Sequence, residues 1–276
     1  MGLEIVAELG INHGGDINIA EQMIDVAATA GCDYVKFQKR TVSVVYSKEE
    51  LDKPRESPWG TTNRDQKYGL EFETDDYVQI DLHCTFESKI EWFASPWDYL
   101  SVGFLHVFNP PFMKIASACL TDTDILEACK GYGYQLILST GMSTIEELDA
   151  AIDVVGKDNV YCIMHCTSTY PTKTEEMNLK CIPMLKERYP WAKIGFSNHH
   201  PGIVFMPAAV ALGAEMIEFH ITMDKTMYWS DQAASFNPEG VFKAVKYMKD
   251  VYISLGTGVK CVYPSEIPIR EKLRKQ

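Results

Sequence analysis

Eight short apolar runs recur along the chain of 276 residues, each followed by a stretch with its apolar residues at helical spacing. The runs occupy residues 4–9, 34–38, 92–95, 113–117, 135–139, 160–166, 193–197 and 216–221. Each is short enough, and apolar enough on both faces, to read as a buried strand. Between them, residues 19–30 place Ala20, Met23, Ile24, Ala27 and Ala28 on one helical face. Residues 143–155 open on Ser143-Thr-Ile-Glu146, a capping-box signature. Residues 174–188, 201–212 and 238–255 supply the later helical patterns. A strand that always alternates with a helix predicts parallel pairing, because the helix is the crossover. Eight such units predict a single-domain (β/α)8 TIM barrel over residues 1–256, with 257–276 as a C-terminal extension. The competing architecture, a doubly wound open sheet, calls for a glycine-rich phosphate turn after the first strand. Gly10-Ile-Asn-His-Gly14-Gly15 lacks that spacing.

Charge and composition narrow the function. The net charge of −12, from 26 basic and 38 acidic residues, argues against a nucleic-acid surface. It leaves room for an anionic substrate held by a few lysines in a deep pocket. No apolar run reaches the roughly 20 residues of a membrane span, and the N-terminus enters an apolar strand without the basic segment of a signal peptide. Cys32, Cys84, Cys119, Cys129, Cys162, Cys166, Cys181 and Cys261 form no CxxC pair, and several lie in apolar runs. Reduced, buried thiols in a cytoplasmic protein are the expectation. Residues 39–73, with Pro54, Pro58, Gly60, Asn63 and Gly69, form the one long irregular stretch. It follows the second strand, which puts it on the face where barrel active sites form, and a substrate cover is expected there. A disordered insertion is the alternative. The basic run Arg270, Lys272, Arg274 and Lys275 reads as a solvated tail.

The strand ends carry the chemistry. They present Glu8; Lys36 and Gln38; Ser95; Lys114 and Ser117; Ser139; His165, Ser168 and Tyr170; Ser197 and His199; Glu218 and His220. Lys36 and Lys114 sit inside apolar strands, where an unpaired ammonium is very costly, so each must meet an anion. With several hydroxyls nearby, two such lysines suit a phosphate or a carboxylate. Pairing with Glu8 or Glu218 is the structural alternative. His199 and His220, at the ends of neighbouring runs, make a candidate divalent-metal pair. His165 reads as a hydrogen-bonded core residue, and His200 faces away from its neighbour. His13 either lines the first loop or shapes its turn.

Taken in order, seven segments carry a resemblance. They are Ala7-Glu-Leu-Gly-Ile-Asn-His-Gly-Gly15, Val35-Lys-Phe-Gln38, Lys114-Ile-Ala-Ser117, Ile137-Leu-Ser-Thr-Gly-Met142, His165-Cys-Thr-Ser-Thr-Tyr-Pro171, Gly195-Phe-Ser-Asn-His199 and Glu218-Phe-His220. Together they resemble the sialic acid synthase family, whose members condense phosphoenolpyruvate with an aldose to give 3-deoxy-2-ulosonic acids. The resemblance implies a (β/α)8 barrel and a Mn2+ or Mg2+ ion on His199 and His220. It implies phosphoenolpyruvate on Lys36, Ser95, Lys114, Ser117, Ser139, Ser168 and Ser197. It also implies that Gln38, Cys119, Tyr170 and Asp231 face the sugar, and that Glu8 acts in acid/base work or water orientation.

The chain departs from the family pattern on the acceptor side. Cys119 stands where the family has a glutamate that grips the amino sugar, and Ser168 where it has an asparagine. Tyr228-Trp229-Ser230 replaces a Pro/Gly-rich approach to Asp231. The family continues into a small antifreeze-like domain that supplies an arginine to its partner's site, and that domain is not expected here. A homodimer through the barrel alone is the corresponding expectation. These departures predict a retained condensation with a different aldose. A small residue making room for that sugar is the simplest reading of Cys119; a third metal ligand or a nucleophile is the alternative. Two other functions stay open: an aldolase or isomerase using Lys36 or Lys114 as a Schiff-base former, and a non-catalytic barrel that binds sugar phosphates.

Overall fold

Eight parallel strands close on themselves in the computed structural model of the chain, which describes residues 2–228 and 231–274. The strands are β1 (Glu4–Glu8), β2 (Tyr34–Lys39), β3 (Pro54–Ser57), β4 (Gly60–Thr62), β5 (Glu91–Pro96), β6 (Met113–Ile115), β7 (Leu136–Ser139), β8 (Val160–Cys166), β9 (Lys193–Asn198) and β10 (Met216–His220). Strands β3 and β4 make a separate antiparallel hairpin; the others form the barrel, with β1 hydrogen-bonded to both β2 and β10. The α-helices are α1 (Ile17–Ala30), α2 (Val42–Val45), α3 (Lys48–Leu51), α4 (Asn63–Leu70), α5 (Thr74–Leu82), α6 (Tyr99–His106), α7 (Thr123–Gly131), α8 (Ile145–Val155), α9 (Cys181–Arg188), α10 (Phe205–Ala211), α11 (Pro238–Ser254) and α12 (Ile267–Leu273). All eight runs read as strands from the sequence lie in the barrel, which is the expected architecture. Trp229 and Ser230, on the approach to Asp231, and Lys275, in the basic run, lie outside the described residues.

A two-residue period explains how one strand serves two environments. One set of residues, Ile5, Ala7, Val35, Phe37, Ile115, Leu136, Leu138, Ile163, Ile217 and Phe219 among them, packs outward against the helices in the main core. The alternate set points into the barrel. Its lower layer is an apolar plug of Val6, Phe93, Phe112, Ile137, Cys162, Met164 and Met216. One step further along the strands, the inward positions become Glu8, Lys36, Ser95, Lys114, Ser139 and Glu218, all buried. The lysines thus sit inside apolar strands because their neighbours face the helices while they face the lumen.

The helix boundaries depart from the sequence reading where capping decides them. The capping box of α8 is formed by Thr144 and Glu147, one residue later than the Ser143–Glu146 pair suggested. Thr144 has the extended backbone of an N-cap, and its hydroxyl accepts from the Glu147 amide. Residues 174–188 split into a 3-10 turn, Thr174–Glu176, and α9. Residues 201–212 reduce to α10.

The segment 39–73 is neither irregular nor disordered. It holds α2, α3, the β3–β4 hairpin and α4. Thr62 and Asp65 cap α4 reciprocally, and Asn63 donates to the Glu50 carbonyl at 3.0 Å. The segment is pinned to the barrel at several points. Lys39 donates to the Phe72 carbonyl at 2.5 Å, and Tyr228 donates to the Glu56 carbonyl at 2.7 Å. At Gly15 a β-carbon would lie 1.9 Å from the Gly69 carbonyl oxygen, so only glycine permits the first loop to touch α4. Composition hid this structure because the segment's elements are short and polar.

His13 shapes the turn instead of lining the site. Its ring stacks on Phe72 at 4.1 Å, and its Nδ1 accepts from the Gly15 amide. Burial lowers its pKa to about 4, with a bond at Gly10 opposing and Arg40 assisting. A histidine with a depressed folded pKa takes up its proton more readily in the unfolded chain. Folding stability therefore falls as pH drops below the unfolded value, by about 1.4 kcal/mol per pH unit for each such group. His165 and His199 act in the same direction. Urea denaturation between pH 7 and pH 5 should show this acid loss, with a gentler slope in His13→Gln; an unchanged slope would assign the loss elsewhere.

Candidate active site

The upper layer of the barrel opens into a cavity of about 170 Å³ at the C-terminal ends of the strands. Glu8, Lys36, Gln38, Ser95, Lys114, Ser117, Ser139, Ser168, Tyr170, Ser197, His199 and His220 all line it. Residues spread over more than 200 positions converge because each strand delivers its inward position at the same height. Glu8 pairs in register with both Lys36 and His220, and Glu218 with Ser197.

The two lysines are bridged by a carboxylate. Lys114 Nζ lies 3.3 and 3.2 Å from the two oxygens of Glu218, and Lys36 Nζ lies 3.7 Å from Glu218 Oε1. Lys36 also lies 2.9 Å from Glu8 Oε2 and donates to Ser95 at 3.2 Å. Burial alone would raise the Glu218 carboxyl, but Lys114 and Lys36 outweigh it and hold the group well below the ordinary carboxylate range. Burial likewise opposes the charge on Lys36, while Glu218 and Glu8 overcome it and raise its pKa. Lys36 is therefore a firm ammonium. The layer carries two cations and two carboxylates, packed below a ring of hydroxyls.

That ring is crowded by design of the backbone. The Gly141 amide donates to Ser117 Oγ at 3.1 Å. A β-carbon at Gly141 would lie 2.1 Å from Ser168 Oγ and 2.7 Å from Ser117 Oγ. The absent side chain is what lets Ser117 and Ser168 share one wall.

The imidazoles of His199 and His220 approach with ring centroids 5.6 Å apart. His199 Nδ1 lies 2.7 Å from the Thr167 carbonyl, which only accepts, so Nδ1 carries the proton. Its Nε2 is then a lone pair, facing Ser197 Oγ at 3.4 Å and accepting from Tyr170 OH at 3.0 Å. Burial, reinforced by His220, lowers the His199 pKa to about 3. His220 Nδ1 is buried without a hydrogen-bond partner, 3.8 Å from Asp231 Oδ2. A neutral imidazole with an oriented lone pair beside a second, orphaned one suits a divalent cation. Among the described residues no third His, Cys, Asp or Glu completes a ready-made ligand group. Further positions on such an ion would fall to water or substrate.

A second cavity of about 330 Å³ adjoins the first through shared walls at Gln38, Trp97 and Tyr170. Asp231 lines it, together with Arg40, Tyr46, Arg55, Gln66, Lys67 and Glu71 from the segment over the barrel mouth. A chain of contacts links the two spaces. Arg40 packs on Trp97 with its guanidinium 4.1 Å from the ring, pairs with Glu71 and donates to Gln38 Oε1. Gln38 donates in turn to Glu8 at 2.6 Å.

The structure does not bring Cys119 into either cavity. Strand β6 ends at Ile115, and Ser117–Cys119 is a 3-10 turn. With three residues per turn, Ser117 and Cys119 cannot point the same way. Ala116 and Ala118 face the cavity instead, and Cys119 joins the main core. Burial, then Asp122, raises its thiol pKa to about 11, which removes it as a thiolate ligand or nucleophile. His165 Nε2 donates to the Met177 carbonyl at 2.9 Å in the core, and His200 Nδ1 accepts from the Gly202 amide away from the site. Sequence reasoning left out Arg40, Trp97 and Glu218 as site residues. Each lies two positions from a chosen residue, Gln38, Ser95 and His220 respectively, so the strand period carried the signal.

Comparison with known proteins agrees with this geometry. The sequence model of the NeuB family matches residues 23–260. The mouse N-acetylneuraminate-9-phosphate synthase is 36% identical over 98% of this chain and 76% of its own length. The N,N'-diacetyllegionaminic acid synthase of Legionella pneumophila is 33% identical over 98% of this chain and 78% of its own length. The crystal structure of N-acetylneuraminic acid synthetase from Leptospira borgpetersenii, solved with citrate, superposes with a TM-score of 0.85 at 30% identity, covering 100% of this chain and 94% of that one.

Proposed function

The chain belongs to the NeuB family, and on that premise we propose that it condenses phosphoenolpyruvate with an aldose to give a 3-deoxy-2-ulosonic acid and phosphate. The observation that carries this reading is the pair of buried lysines at the barrel mouth, ringed by serines and facing two imidazoles. Phosphoenolpyruvate carries a carboxylate and a phosphate on one small carbon frame. Lys36 and Lys114 match those charges, and Ser95, Ser117, Ser139, Ser168 and Ser197 supply hydroxyl donors for the remaining oxygens.

In the proposed reaction, C3 of the enol phosphate attacks the aldehyde carbon and forms the new C–C bond. The aldehyde oxygen takes a proton and becomes a hydroxyl. Water adds at C2, and the resulting tetrahedral centre expels phosphate and leaves a ketone. His199 and His220 would hold a Mn2+ or Mg2+ ion, which would supply Lewis acidity toward the carbonyl oxygen. Glu8, held by Gln38 and Lys36, is the proposed group for exchanging a proton between water and sugar. The ammonium groups of Lys36 and Lys114 offset the charge that develops on the departing phosphate.

A Schiff-base aldolase fits less well. It needs a neutral amine with a lowered pKa, whereas Lys36 is raised and Lys114 is paired with Glu218. The test is phosphate release from phosphoenolpyruvate by the purified protein, with mass spectrometry of the product. Release that requires both an aldose and a divalent cation is expected. Release without an aldose, or a borohydride-trapped lysine adduct, would overturn the proposal.

A further inference from the structure

Arg40 brings a guanidinium to the wall of the barrel mouth, and its own neighbours take up the charge. It stands one step past Lys39 and Pro96, the last paired residues of β2 and β5, and its side chain falls on the Trp97 ring. Glu71 Oε1 lies 3.4 Å from Arg40 Nη1, and Glu71 Oε2 accepts from the Arg40 amide at 3.0 Å. Arg40 Nη2 donates to Gln38 Oε1. A guanidinium carries donors only, and a carboxylate acceptors only. The Gln38 amide between them therefore has one favourable orientation, with Oε1 toward Arg40 and Nε2 donating to Glu8 Oε1 at 2.6 Å. Turned over, it would set an oxygen against the Glu8 carboxylate and an NH2 group against the guanidinium. Glu8 Oε2 is buried without a hydrogen-bond partner among the described residues, with Lys36 Nζ 2.9 Å away.

The geometry points to Arg40 as a positioning residue. Acting through Gln38, it fixes the Glu8 carboxylate with Oε1 occupied and Oε2 left to serve the reaction. This rests on the proposed condensation and adds to it a residue that works at one remove. The device needs a planar fork. One edge of the guanidinium meets Glu71, another donates to Gln38, and the face rests on Trp97, a set of contacts that a lysine ammonium cannot make together. Arg40 and Glu71 both belong to the segment over the barrel mouth, so the seating of that segment and the orientation of Glu8 are one event.

Phosphate release by the full-length protein, with both substrates saturating, carries the test. Arg40→Ala is expected to lower kcat by about 10- to 100-fold, the cost of a misplaced acid/base group, and to leave KM for phosphoenolpyruvate unchanged. The double variant Arg40→Ala/Gln38→Ala should be no slower than Gln38→Ala alone, because both substitutions break the same chain of contacts. Guanidinium at a sub-denaturing concentration should restore part of the rate of Arg40→Ala, and sodium at the same concentration should not. Arg40→Met, which keeps an apolar stem on Trp97, should repeat the loss if Arg40→Ala does not fold. The Gln38 side-chain amide resonance, assigned by its absence from Gln38→Ala, reads the same chain without turnover and should move when Arg40 is replaced. A resonance that moves in a protein that condenses nothing supports the positioning and sinks the condensation reading alone. Additive losses in the double variant, a raised KM for phosphoenolpyruvate as the main effect, or a Gln38 resonance indifferent to Arg40 would overturn the inference.

Discussion

Lys114→Met is expected to cost the protein both its turnover and part of its stability, and the two losses should separate in a double variant. Lys114 is the nearer of the two ammonium groups that neutralise Glu218. Removing it leaves a buried carboxylate with the longer contact to Lys36 and a hydrogen bond from Ser197. Breaking such a pair typically costs about 3–5 kcal/mol, and the remaining lysine should keep the cost near the lower end. Kcat/KM for phosphoenolpyruvate should fall at least about 10²- to 10³-fold, because a preorganised charge aimed at the substrate anion is lost. Adding Glu218→Gln removes the orphaned charge. The double variant Lys114→Met/Glu218→Gln should regain most of the melting temperature and none of the activity. If it turns over normally, Lys114 serves only as a counter-ion to Glu218, and the proposed substrate cradle is wrong.

Removal of the divalent cation should be the other large effect. Dialysis against a chelator is expected to abolish phosphate release, and Mn2+ or Mg2+ to restore it. His199→Ala and His220→Ala should each weaken Mn2+ binding, read by the free-ion EPR signal, and lower kcat/KM by about 10³-fold, the several kcal/mol that Lewis-acid polarisation supplies. Tyr170→Phe separates two roles. The hydroxyl bonds the same His199 nitrogen that would meet the ion. Its loss should leave Mn2+ binding intact or stronger, since no competing hydrogen bond remains. Full turnover by the chelator-treated protein would remove the metal from the mechanism.

Much of the site could be read from residue order because a barrel converts sequence period into direction. Lys36, Lys114, Ser197 and His220 occupy inward positions of strands whose other face is apolar, and the alternation is visible in Tyr-Val-Lys-Phe-Gln and Met-Ile-Glu-Phe-His. The reading went astray where the strand period stopped. Cys119 lies beyond the end of β6 in a 3-10 turn, so the resemblance that set it against the sugar gave way to a backbone that turns it into the core. The same limit applied to the covering segment. Its helices of four to eight residues are too short to show an amphipathic stripe, and contacts such as Gly15 on Gly69 arise only once the barrel is closed.

Residue order alone determined the eight-unit architecture and the lumen-facing cations and imidazoles, since local hydrophobic period dictates which side of a strand is buried in what. Only the tertiary structure decided that Glu218 bridges Lys36 and Lys114, that Arg40 reaches Glu8 through Gln38, and that Arg55 and Lys67 share a second cavity. Those are distances between residues far apart along the chain. They are set by strand register and loop docking, neither of which leaves a periodic trace in the sequence.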